Sequence, residues 1–149
     1  MISSRWGVTP RQSVEDECRR RGTKNVVASC VEILSGGDVD EEMLLALGGP
    51  SATPVIEGGE GGLAGYWPRV WAMRGLLYAW RVSAIPVVVA GVHDESWRVR
   101  EMAARVVGRH QLDEATEEII ALRDDEVPRV REAAERALIR LMESGSSED

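Results

Sequence analysis

Arginine recurs at helical intervals in the second half of this chain. Arg98, Glu101, Arg105 and Arg109 lie three and four residues apart, and Arg129, Glu132, Arg136 and Arg140 repeat the pattern. Such intervals place side chains on one side of a helix. A guanidinium presents five donors in a planar fork that matches a carboxylate. The stripe could therefore hold an acidic or extended peptide. It could equally be a solvated face of internal Glu–Arg pairs, which add little stability. Upstream lies a second concentration of interface chemistry, Tyr66, Trp67, Trp71, Tyr78 and Trp80. On one continuous helix Val70, Met73 and Leu77 form an apolar stripe that suffices for a core contact. Trp67, Trp71, Arg74 and Tyr78 form a second stripe, built from the residue types that anchor protein interfaces. The competing reading of Trp67 and Trp71 is packing inside an enlarged gap. The expected partner-binding set is Trp67, Arg69, Trp71, Arg74, Trp97, Arg98, Arg105, Arg129 and Arg136.

Other chemistries find less support. Cys18, Cys30, His93 and His110 have no metal-ligand spacing. Cys30 lies in the apolar run from Val26 to Leu34 and reads as core. Neither histidine has a nucleophile or a second histidine in a recognisable arrangement, and no pair of carboxylates is singled out for acid–base work. The glycine-rich stretch 48–65 lacks the Gly-Lys-Ser/Thr ending of a phosphate loop and carries Glu60 where a lysine would be needed. It reads as a flexible insertion. No cofactor, metal or catalytic residue is expected.

The net charge is −7. That disfavours a phosphate backbone as the main partner. Lys24 is the sole lysine. No apolar run is long enough for a transmembrane helix, and the start lacks the apolar core of a signal peptide. A cytoplasmic location and no membrane partner are expected, and without a secretory signal a disulfide is not.

These side chains need elements to hold them, and the chain repeats itself. Ser51-Ala52-Thr53-Pro54-Val55-Ile56 returns as Ser83-Ala84-Ile85-Pro86-Val87-Val88, with a weaker copy from Asp113. Between them Trp97-Arg98-Val99-Arg100-Glu101 matches Pro128-Arg129-Val130-Arg131-Glu132, and Pro68-Arg69-Val70 is an earlier copy. Each unit is about 31 residues, a length typical of helical repeats. The first segment opens with Ser or Asp, which can cap a helix. The second keeps apolar residues at helical spacing: Val99, Met102, Ala103, Val106, Val107 and His110, then Val130, Ala133, Ala134, Ala137, Leu138 and Leu141. The predicted helices are 12–21, 25–35, 39–48, 51–58, 66–81, 83–92, 96–110, 113–122 and 127–143. One helical pair cannot bury its own apolar faces, and stacked pairs can. A single domain over 12–143 is expected, with a flexible start at 1–11 and a disordered tail at 144–149.

Asp94-Glu95-Ser96-Trp97-Arg98-Val99-Arg100 and Asp125-Glu126-Val127-Pro128-Arg129-Val130-Arg131 resemble HEAT repeats, especially the short form also found in phycobilin lyases. The resemblance implies an all-α, right-handed solenoid of three to four helical hairpins preceded by N-terminal helices. It implies that the second helices line the concave face. It also implies a ladder between adjacent repeats, with Asp94, Arg100, Asp125 and Arg131 as its members. In the preceding copy the two ladder positions are Gly65 and Trp71, so both partners are lost together. The function implied is a non-enzymatic scaffold that binds a protein or peptide, with a homo-oligomer as one possible partnership. Two alternatives share the scaffold: a DNA-binding or glycosylase-type enzyme, and a chromophore-lyase-like or chaperone accessory protein.

Overall fold

The computed structural model describes residues 8–58 and 66–146. Parts of the expected flexible start, glycine-rich insertion and tail lie outside those residues, as does Gly65. Every regular element among the described residues is helical. The chain forms two compact units, one ending at Ala84 and the other beginning at Ile85.

The first unit opens with α1, Pro10–Arg21. Thr9 caps it, its hydroxyl accepting from the Gln12 amide at 3.1 Å, and Pro10 takes the first helical position, where no amide is needed. The helix thus starts two residues before the expected 12, because the cap is earlier than the apolar pattern. Arg19, Arg20 and Arg21 fill its last turn, where the helix dipole favours cations. Gly22, at φ +91°, supplies a backbone turn that few other residues tolerate, and α2, Thr23–Leu34, follows. Next come α3, Glu41–Gly48, and α4, Ala52–Gly58. The last helix of this unit is α5, Trp67–Gly75. Its core gathers Val14, Val26, Val27, Cys30, Met43, Leu47, Met73 and Leu76. Small residues set the spacing. A Cβ on Gly75 would lie 2.8 Å from Leu47 Cδ2 and 3.3 Å from Cys30 Sγ.

The predicted helix 66–81 stops at Gly75. Beyond it Leu77 N donates to Arg74 O at 3.0 Å and Tyr78 N to Gly75 O at 3.0 Å, so the chain tightens into turns. Those turns send Leu76, Leu77 and Ala79 into the core. Tyr78 therefore leaves the helical stripe on which it was expected, and Trp80 lies beyond the helix.

The second unit comprises α6, Ile85–Gly91, α7, Trp97–His110, α8, Thr116–Leu122, and α9, Pro128–Ser146. The internal repetition is visible in detail. Short helices α4, α6 and α8 are each led by a 3-10 turn, at Gly49–Ser51, Val82–Ala84 and Asp113–Ala115. Ser51 and Ser83 sit inside these turns rather than at the helix caps expected of them. The long helices bury the faces that their spacing predicts. Val99, Met102, Ala103, Val106 and Val107 on α7 are buried, as are Val130, Ala133, Ala134, Ala137 and Leu141 on α9. His110 and Leu138 are half-buried. The two helices approach so closely that a Cβ on Gly108 would lie 3.1 Å from Ala137 Cα.

Gly108→Val inserts a branched side chain against that backbone, and overpacking of this kind costs about 1–3 kcal/mol. Thermal denaturation should show a lowered midpoint with unchanged helix content. An unshifted midpoint contradicts the close packing of α7 on α9.

Candidate functional site

The hairpins of the second unit are joined by an ionic rung. Arg100 on α7 donates from Nε to Asp125 Oδ2 at 2.8 Å and from Nη2 to Asp125 Oδ1 at 3.2 Å. Its Nη1 donates to the carbonyls of Asp94, at 2.8 Å, and Glu95, at 3.2 Å. Asp125 in turn accepts from the Val127 amide at 2.9 Å, which fixes the turn before α9. Asp94 accepts from the Ser96 amide at 2.8 Å in the same way, and Arg131 Nη1 donates to the Asp125 carbonyl at 2.7 Å. Partial burial pushes the Asp125 carboxyl up, but the hydrogen bonds from Arg100 and the Val127 amide more than offset it, and its pKa lies below the ordinary value. Of the four ladder residues, Arg100 and Asp125 thus join across the repeats, and Arg131 binds the Asp125 carbonyl beside its own turn.

The arginine stripe lies on a different side of the same helices. Arg105 and Arg109 are exposed and make no ion pair among the described residues. Arg129 pairs with Glu101 at 3.1 Å, Arg136 approaches Glu132 at 3.9 Å, and Arg140 approaches Glu143 at 3.6 Å. Half-buried Trp97 carries Arg98 over its ring at 4.5 Å and Arg129 at 5.5 Å. Both contacts fall within the range of cation–π attraction. The structure thus brings Trp97, Arg98 and Arg129 together and leaves Arg105 exposed, with Arg136 at the matching position one repeat on.

In the first unit the expected set fares differently. Trp71 is 4% exposed and belongs to the core, which removes it as a surface anchor. Gly48 faces its ring, and a Cβ there would lie 2.5 Å from the indole. Trp67 is half-buried and stacks on Trp71, with ring centroids 6.5 Å apart, and Tyr66 follows at 5.0 Å from Trp67. Arg74 is half-buried and donates to the Leu47 carbonyl at 2.7 Å, so it ties α5 to α3 instead of specifying a partner. Arg69 is half-buried and engaged. The expanded loop and lost ladder pair are accompanied by a buried indole, as the packing reading requires.

One constellation was missed from the sequence. Arg21 donates to Asp40 Oδ2 at 2.9 Å and Oδ1 at 3.0 Å, and Asp40 caps α3 by accepting from the Met43 amide at 2.8 Å. Asp40 therefore does in the first unit what Asp125 does in the second. Buried Glu17 completes the group, bonded to Arg20 at 3.0 Å and to Arg21. Burial raises the Glu17 carboxyl, yet the two guanidiniums hold it below its ordinary pKa. For Asp40 the hydrogen bonds from Arg21 and then the Met43 amide lower the pKa to about 2. The available signal was Asp40 ahead of Glu41 and Glu42, a helix-start pattern. Its arginine partner, nineteen positions upstream, has no sequence signature.

Among the described residues no three His, Cys, Asp or Glu side chains are grouped as a metal site requires. No helix among them is long and apolar enough to cross a membrane. Residues 66–139 match the family model of HEAT repeats. Neither a curated protein nor a solved structure matches the chain.

A carboxylate with a depressed pKa contributes stability that is present above its ordinary value of 3.8 and lost as pH falls toward about 2. Asp40→Asn should therefore be less stable than wild type at neutral pH, with the gap closing on acidification through that window. Urea midpoints measured across this range check it. A gap that is constant with pH contradicts the Arg21–Asp40 assignment.

Proposed function

We propose, from the membership of residues 66–139 in the HEAT-repeat family, that this chain is a non-enzymatic interaction module. HEAT repeats generally mediate protein–protein interaction. The finer reading is that a partner protein or peptide of acidic, extended character binds the arginine face of α7 and α9. The frame of that reading is the expected right-handed solenoid of three to four hairpins, in which second helices line the inner surface.

One observation carries it. Arginine is used in two ways on α7. Arg100 is fully engaged in joining hairpins, whereas Arg105 and Arg109, on another side, satisfy nothing among the described residues. Exposed ion pairs of the kind formed by Arg136 and Arg140 contribute about 0–1 kcal/mol each, so stability does not account for the stripe. Trp97 supplies a flat apolar surface beside it. Its Arg98 and Arg129 guanidiniums are already placed, so less rotamer entropy is lost on binding. Glu101 and Glu132 interrupt the stripe and give the face a pattern, which selects against partners with uniform negative charge. Trp67 and Arg69 in the first unit remain candidate contacts in their own right.

The test is affinity capture from the native host's lysate with wild type beside Trp97→Ala/Arg105→Glu, after both show the same helicity. A protein enriched by the wild type, lost with the variant and released by salt is the expected result. Identical captured sets for the two baits contradict this binding face.

A further inference from the structure

We infer that the outer face of α9 is a docking surface for a helical segment of another protein, one that presents an aspartate or glutamate carboxylate to Arg131. The inference concerns a different face from the arginine stripe and is independent of it.

The repeat itself shows what such a face is for. Position by position, Arg100, Ala104, Val107 and Gly108 on α7 become Arg131, Glu135, Leu138 and Ile139 on α9. On α7 this face meets the next hairpin: Arg100 holds Asp125, Gly108 abuts Ala137, and Ala104 and Val107 are buried. On α9 no further hairpin among the described residues covers the same face, where Glu135 pairs with Arg123 at 2.6 Å. Ile139 is 55% exposed and Met142 70%. Large apolar side chains clustered on one exposed face mark interaction sites more often than scattered ones do.

Arg131 says what kind of partner fits. Its Nη1 bonds the carbonyl of its own turn, as Arg100 Nη1 does. In Arg100 the remaining edge, Nε and Nη2, takes a carboxylate in two parallel hydrogen bonds. In Arg131 that edge makes no hydrogen bond among the described residues. It is a half-built rung, held in place on one side and open on the other. A carboxylate on the leading turn of a helix, such as Asp125 offers to Arg100, completes it with strong bidentate geometry.

Two other occupants fit less well. A further repeat stacked as α9 stacks on α7 needs a glycine where Ile139 stands, and the isoleucine side chain prevents that approach. In a second copy the two aspartates that pair bidentately with arginine, Asp125 and Asp40, are already held by Arg100 and Arg21. The docked element is therefore a helix from a different protein, lying further from α9 than α9 lies from α7, over Leu138, Ile139 and Met142.

The experiment places a photoreactive benzoylphenylalanine at position 139 of the full chain in its own host. Cross-linked peptides are sequenced, synthesised and titrated against the purified full chain. The expected result is a peptide from another protein, helical when bound and carrying Asp or Glu. Its affinity should fall about tenfold or more with Arg131→Glu, as expected on breaking a hydrogen-bonded charge pair, and hold within about twofold with Arg105→Glu, which lies on a different face and outside the docked pair. Both variants alter exposed side chains, and matching helicity confirms that they fold. Cross-links confined to copies of this chain overturn the proposal. So do the absence of any cross-link and an affinity indifferent to Arg131→Glu. A peptide that responds to Arg105→Glu instead belongs to the stripe and also overturns it.

Discussion

The architecture of the second unit depends on the bidentate pair between Arg100 and Asp125. A two-helix hairpin of this length leaves one apolar face open, and only a neighbour can cover it. Apolar burial is nondirectional and fixes the approach of α9 to α7 weakly in register. The rung supplies the register. It sets the turn before α9 through the Val127 amide and locks the turn before α7 through the Asp94 and Glu95 carbonyls. Small residues at the contact, Gly108 and Ala137, then allow the two backbones to close. The pair is mostly removed from water, where losing one partner is far more costly than losing both. The copy with Trp71 and Gly65 lacks both partners in its sequence, and its Trp71 is core.

The first unit solves the same problem with different residues. Arg21 and Asp40 form the bidentate pair, and Asp40 doubles as a helix cap. Glu17 lies buried against the same guanidiniums. Its charge is tolerated because two cations and their hydrogen bonds offset the loss of water. Both units therefore fix a turn and an inter-helix contact with one aspartate.

Much of this was legible in the sequence. The resemblance of the two Asp-to-Val-Arg segments to HEAT repeats implied the rung, and period 3.6 in residues 99–110 and 130–141 marked the buried faces. Both signals are local or repeated, so a single chain displays them. Beside the Arg21–Asp40 pair, three features were not legible. The helix predicted over 66–81 looked continuous because apolar spacing persists through Leu76 and Leu77, yet those side chains are buried in turns. The role of Trp71 was undecided because an indole serves a core and an interface equally well, and only the glycine opposite it distinguishes the two. Arg74 suited an interface by type, but its target, the Leu47 carbonyl, is backbone and leaves no trace in the sequence. The arginine stripe was readable as a stripe. That Arg105 lacks a partner while Arg129 has one depended on the distance to Glu101.

Arginine is thus divided by helix face: one set builds the stack and the other remains on its surface. Urea denaturation of Arg100→Ala beside Arg105→Ala tests that division most directly. The account predicts a loss of about 2–4 kcal/mol for Arg100→Ala, which leaves Asp125 without its partner, and a change within about 0.5 kcal/mol for Arg105→Ala. Equal losses for the two variants would contradict it.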